Sequence, residues 1–215
     1  MAERDDQDPA DLSLLARWRE GDAAAGHALF NRHFDSLYRF LRSKADDGID
    51  DLVQETFLVC VRNKDAFRGD ASLRTYLFAI ARKLLFAHWE RRARRQSEIE
   101  IGELSIEAMS TSPTGIIARA AEHRLLVRAL RAIPLDLQII LELHFWEDLS
   151  GPELAIVLEI PEGTVRSRLR RAREQLEARL VALADDQHLL SSTQEGLETW
   201  ARSLAQAVHA GAQPG

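Results

Sequence analysis

The chain has 215 residues, of which 46% are hydrophobic and 29% charged, and its formal net charge is −6. That balance excludes a uniformly basic nucleic-acid coat but leaves room for a localised basic face. A single cysteine, Cys60, excludes an internal disulfide and fits a reducing compartment. In a helical apolar pattern Cys60 reads as a small buried hydrophobe. The N-terminus, MAERDDQDPADLS, is acidic where a signal peptide needs a basic start and an apolar run. No apolar stretch approaches the roughly 18 residues of a membrane span. A cytoplasmic protein without membrane insertion is expected.

The pattern is helical almost throughout, and strand-like alternation is nearly absent. Residues 1–10 read as a disordered acidic tail. Leu12, Leu15 and Trp18 start a short helix that stops near Gly21, and Asp22 caps the next. There Phe30, Phe34, Leu37, Tyr38 and Leu41 follow the spacing of one buried stripe. Asp50 or Asp51 opens a third helix. Val53, Thr56, Phe57 and Cys60 make its inner face, and Asp51, Gln54, Glu55 and Leu58 its outer face. Phe67-Arg68-Gly69-Asp70 reads as a loop. Ser72 caps a long fourth helix running to about Arg95, with Leu73, Tyr76, Leu77, Ile80 and Leu84 inside.

Residues 96–116 are rich in Glu, Ser and Thr and contain Pro113, the composition of a flexible linker. A second domain spans 117–184. Leu126, Leu130 and Ile133 form one stripe, and Leu137, Ile140, Leu141 and Phe145 another. The expected fold class is therefore all-α: two small helical domains, 11–95 and 117–184, joined by a linker. Residues 185–215 form a C-terminal extension with a further helical stripe at Leu197, Trp200, Leu204 and Val208.

Residues 150–180 read SGPELAIVLEIPEGTVRSRLRRAREQLEARL, the pattern of a helix-turn-helix. Ser150 is a good N-cap and Pro152 suits a first turn. Ile160-Pro161-Glu162-Gly163 breaks the helix. In the second helix Val165, Leu169, Ala172 and Leu176 share a face that would bury, while Thr164, Ser167, Arg168 and Arg171 share the opposite one. Guanidinium forks match guanine edges and phosphate, and a helix N-terminus favours phosphate. Arg166, Arg170 and Arg173 flank this face. The competing reading is an ordinary solvated basic helix.

IPEGTVRSRLRRAREQL resembles the last helix-turn-helix of sigma factors of the extracytoplasmic-function (ECF) group, in the sigma-70 family of bacterial RNA polymerase. DDLVQETFLVC at 50–60 and FRGDASLRTYLFAIARKLLFAHWERRAR at 67–94 resemble the same family in the N-terminal domain, in the family's order. The resemblance covers about residues 10–183. It implies a transcription initiation factor that binds core RNA polymerase through Asp51, Gln54, Glu55 and Leu58. It also implies that the N-terminal domain melts and reads the −10 promoter element. Phe67, Arg68, Gly69 and Asp70 would take a flipped base, beside Phe78, Arg82, Lys83 and Phe86, with Arg91 and Arg92 following. The −35 element would fall to Glu162, Gly163, Thr164, Arg166, Ser167, Arg168, Arg170 and Arg171. An anti-sigma factor is implied as a partner. No catalytic residue, metal or cofactor is implied, and no HExxH, paired-Cys or Walker pattern is found.

Two readings stand for Phe78 and Phe86: stacking on unpaired bases, or packing against the first helices. The run Arg91–Arg95 also reads as a solvated helix end. Lys83 stands where many relatives carry Asn, Tyr76 where Trp is common, and Ile156 where a polar residue is usual. Glu159 stands where Gly usually ends the first helix of the motif, so a differently wound turn is expected. A helix-turn-helix regulator that is not a sigma factor would account for 150–183 but not for 50–95.

Overall fold

The computed structural model describes residues 8–45, 47–67, 69–97 and 125–184, and all its regular structure there is helical. Helix α1 spans Pro9–Arg19 and α2 Ala23–Arg42. Asp8 caps α1 by accepting from the Ala10 amide, so the helix begins inside the stretch read as tail. Asp22 caps α2 by accepting from the Ala25 amide. The tight α1–α2 corner runs through Gly21 at φ +102°, a backbone that favours glycine. Asp11, almost buried, ties the two helices together through the Arg32 Nε (2.8 Å) and the His33 ring (2.7 Å).

Helix α3 spans Ile49–Arg62 and α4 Leu73–Ser97. The N-cap of α3 is Gly48 at φ +68°, which places Asp50 and Asp51 inside the first turn, where they face the positive helix end. Ser72 caps α4, its hydroxyl accepting from the Thr75 amide at 3.1 Å.

Helix α4 is buried on two faces. Leu73, Leu77 and Ile80 pack with Leu15, Trp18, Leu29 and Cys60. Phe78, Ala81 and Leu85 pack with Leu37, Phe40, Leu41, Leu52 and Val53 in a second cluster. Burial pushes the Cys60 thiol up to about 11, so it is a core side chain and not a nucleophile.

The second cluster continues without a break into the C-terminal half. That half comprises α5, described over residues 125–131, α6 (Leu135–Phe145), α7 (Gly151–Leu158) and α8 (Glu162–Leu183). Helix α6 is buried from Leu137 to Leu143, including Gln138 and Glu142. An all-round buried helix has neighbours on every side. Helix α8 lies on one side of it, and core residues of α2 and α4 share its cluster.

One expected core position is corrected. Phe34 is 42% exposed. The buried stripe of α2 runs instead through Leu29, Leu37, Phe40 and Leu41, and Phe34 lies outside it, stacked on Tyr38. The expected linker and the C-terminal extension lie outside the described residues, apart from the end of α4 at Ser97.

Candidate nucleic-acid interface

Helices α7 and α8 form the helix-turn-helix. Ser150 opens α7, its backbone amide and hydroxyl both donating to the Glu153 carboxylate at 2.8 Å. This satisfies an amide that the first helical turn leaves without a partner. Helix α7 ends at Glu159, whose φ of 55° and ψ of 45° put a non-glycine residue in the left-handed region. The Ile160 amide then donates back to the Ala155 carbonyl. The expectation of a differently wound turn is therefore corrected. The chain makes the usual left-handed stop with glutamate in place of glycine, at a steric cost of about 1–2 kcal/mol.

Helix α8 buries Val165, Ala172, Leu176 and Leu180 against α6 and α7, with Leu169 half-buried. The 3.6-residue period then turns Thr164, Ser167, Arg168, Arg170 and Arg171 to the open side of the helix, with Glu174 and Gln175 beside them. The Ser167 hydroxyl donates to the Thr164 carbonyl (2.9 Å), and Arg170 lies 3.6 Å from Glu174. Glu162 and Gly163, in the first turn, and Arg166 are exposed. Arg173 departs from the expected flanking role: its guanidinium lies over the Phe145 ring of α6, 4.8 Å from the centroid.

In α3, Asp51, Gln54 and Leu58 are exposed and Glu55 is partly so, while Leu52, Val53, Thr56 and Cys60 are buried. Val61 extends the exposed apolar part of this outer face. Arg62 reaches back to Glu55 at 3.3 Å.

Helix α4 departs most from expectation. Phe78, placed by its sequence spacing opposite the buried stripe, is 2% exposed and packs edge-on against Phe40. The packing reading holds for it, because α4 has a second buried face. Phe86 is half-buried beneath the Arg82 guanidinium, at 5.0 Å from the ring centroid. Arg82 is half-buried, and its buried Nε has no hydrogen-bond partner among the described residues. Burial pulls its pKa down, Glu159 and Asp136 oppose that, and Arg168 adds to it. Lys83 is exposed and ion-paired to Glu159 at 2.6 Å. Arg91 is exposed, and Arg92 is engaged by Asp47 at 3.0 Å and lies over Trp89. Phe67 packs against Tyr76, Gly69 adopts φ +79°, and Asp70 is exposed. Arg68 lies outside the described residues.

Sequence reading missed the polar seam between the halves. Lys44, on the N-terminal side, donates to Glu142 of α6, and both side chains are essentially buried. Burial pulls the Lys44 ammonium down and pushes the Glu142 carboxyl up, each against the attraction of its partner. Glu147 receives Arg74 at 2.7 Å and Arg39 at 3.4 Å. Glu153 accepts from the Thr75 hydroxyl at 2.8 Å. The one available signal was Glu142 itself, a charge inside the apolar run LDLQIILELHF.

Comparison with known proteins agrees with this geometry. Residues 29–95 match the family model "Sigma-70 region 2", and residues 123–176 match "Sigma-70, region 4". The chain is 27% identical over 182 residues to the ECF RNA polymerase sigma-E factor of Escherichia coli (strain K12), covering 80% of this chain and 95% of that protein. It is 28% identical to the protein of the same name from Haemophilus influenzae, covering 96% of it. Among solved structures, CnrH in complex with the cytosolic domain of CnrY superimposes with a TM-score of 0.60 at 27% identity, covering 81% of this chain and 99% of that one. The sigma factor RpoE in complex with the anti-sigma factor NepR, from Bartonella quintana, shares the fold at 23% identity and a TM-score of 0.53. The chain belongs to the sigma-70 family, in its ECF group. It is a promoter-directing transcription initiation factor that works with core RNA polymerase. The match to region 2 disfavours the reading as an unrelated helix-turn-helix regulator.

Proposed function

We propose a division of this work among three helix faces. The outer face of α3, with Asp51, Gln54, Glu55 and Leu58, binds core polymerase. Its mixture of carboxylates and exposed leucine suits a basic partner helix with an apolar stripe. The loop at 67–70 and the α4 residues Arg82, Lys83, Phe86, Arg91 and Arg92 open and read the −10 element, on a helix that Phe78 anchors in the core. Aromatics stacked on bases and guanidinium groups on the backbone suit a single strand. The face of α8 with Glu162, Gly163, Thr164, Arg166, Ser167, Arg168, Arg170 and Arg171 reads the −35 element.

The observation that carries the reading is the outer face of α8, where hydroxyls and guanidiniums share an open surface backed by a buried apolar face. A recognition helix in a major groove needs that arrangement. The protein acts in the cytoplasm, carries out no catalysis of its own, and uses no metal or cofactor. An anti-sigma protein is its expected regulator, since the sigma factor RpoE of Bartonella quintana, which shares the fold, was solved with the anti-sigma factor NepR.

The faces are separable by mutation. Leu58→Asp is expected to abolish co-purification with core polymerase. Arg168→Ala is expected to leave that association intact but weaken protection of the −35 region by about 1–3 kcal/mol, the value of one bidentate base contact. Unchanged −35 protection in Arg168→Ala, or unchanged core association in Leu58→Asp, contradicts the assignment.

A further inference from the structure

The loop assigned to the −10 base begins where α1 grips the chain. Arg19, the last residue of α1, donates to the Lys64 carbonyl from Nε at 2.9 Å and from Nη2 at 2.8 Å. The same Nη2 also donates to the Phe67 carbonyl. Lys64 answers in the other direction: its ammonium donates to the Trp18 carbonyl at 3.3 Å and lies over the Trp18 ring. A helix C-terminus carries unpaired carbonyls and partial negative charge, so a cation is well placed there.

The segment that Arg19 holds leads straight into the loop. The amides of Ala66 and Phe67 turn back on the Asn63 carbonyl, while Arg19 supplies donors to the Lys64 and Phe67 carbonyls. The Phe67 ring then packs on Tyr76 of α4. At the far end Ser72 caps α4 through the Thr75 amide. Between these anchors stand Gly69, at φ +79°, and the exposed Asp70. A loop fixed at both ends loses little conformational freedom when a ligand enters it. A guanidinium suits the task because its N–H groups form a rigid fork, whereas an ammonium is a point charge.

We propose that Arg19 is a positioning residue for capture of the unpaired −10 base. It acts through the Lys64 and Phe67 carbonyls, setting the start of the loop before the strand arrives. The inference rests on the assignment of residues 67–70 to the −10 element.

The test uses holoenzyme assembled from core polymerase and the full chain, on a promoter fragment recovered by run-off transcription from a genomic library. Permanganate reactivity of unpaired thymines reads −10 opening. Nuclease protection reads the −35 element, and co-purification reads core association. Arg19 is exposed, so Arg19→Ala leaves no buried cavity. It should lower −10 reactivity about tenfold, the order of one charge-assisted hydrogen bond, with −35 protection and core association unchanged. Arg19→Lys keeps the charge without the fork and should recover only part of the loss. Arg17→Ala, which breaks the Arg17–Asp22 ion pair near the same end of α1, should change none of the three readings.

Asp70→Ala tests the loop itself. If it lowers −10 reactivity and Arg19→Ala does not, the positioning role fails and the loop assignment stands. If neither variant lowers it, the loop assignment fails and the positioning role fails with it. Full recovery by Arg19→Lys overturns the proposal, because Arg19 would then act by charge alone. A parallel fall of all three readings in Arg19→Ala also overturns it, because the residue would then serve general stability.

Discussion

Asp11 shows how a single side chain can set an element in place. Burial raises its pKa, but hydrogen bonds and charge from His33 and Arg32 outweigh burial and hold the carboxyl below its ordinary 3.8. A depressed folded value means stability that is fully present above pH 3.8 and lost as the pH falls through the lower folded value. Asp11→Asn should therefore lower the melting temperature at pH 6, and the gap to wild type should narrow at pH 3. A gap of equal size at both values would show that Asp11 acts by shape alone. The carboxylates of the seam divide by the same logic. Glu153 is depressed because the Ser150 and Thr75 hydrogen bonds outweigh its burial, and Glu142 is raised because burial outweighs Lys44.

At the scale of elements, the α1–α2 corner depends on one absent side chain. A Cβ at Gly26 would lie 2.6 Å from Nε1 of Trp18, whose ring packs edge-on against Phe30. Gly26→Ala should cost about 1–3 kcal/mol by overpacking, read as a lower urea midpoint with unchanged slope; an unshifted midpoint would show that the indole moves aside freely. Helix α8 was legible from its sequence because one face is apolar at helical spacing and the other repeats Arg and hydroxyl residues. Helix α4 was legible only in part. Its first stripe follows the period, but Phe78, Ala81 and Leu85 form a second buried face. A helix with two apolar faces gives periodicity no reason to choose which one is solvated. Phe34 misled in the opposite sense, since aromatic residues at core spacing are also found exposed.

At the scale of the molecule, the two halves share one apolar cluster and an acid-to-base seam. Glu142 finds Lys44 at a separation of 98 residues, a pairing that no local pattern contains. The sequence therefore showed the two helical halves and not their mutual packing. A net charge of −6 is compatible with DNA binding because the basic residues are grouped, with five of the eight residues from Arg166 to Arg173 being arginine. We propose that this chain selects promoters for core polymerase through the α4 and α8 faces together. Run-off transcription on a library of genomic fragments, with core enzyme and the full chain, tests it most directly. Promoter-dependent transcripts that require this chain, and that weaken with Arg168→Ala and with Lys83→Ala, are the predicted result. No chain-dependent transcript from any fragment would contradict it.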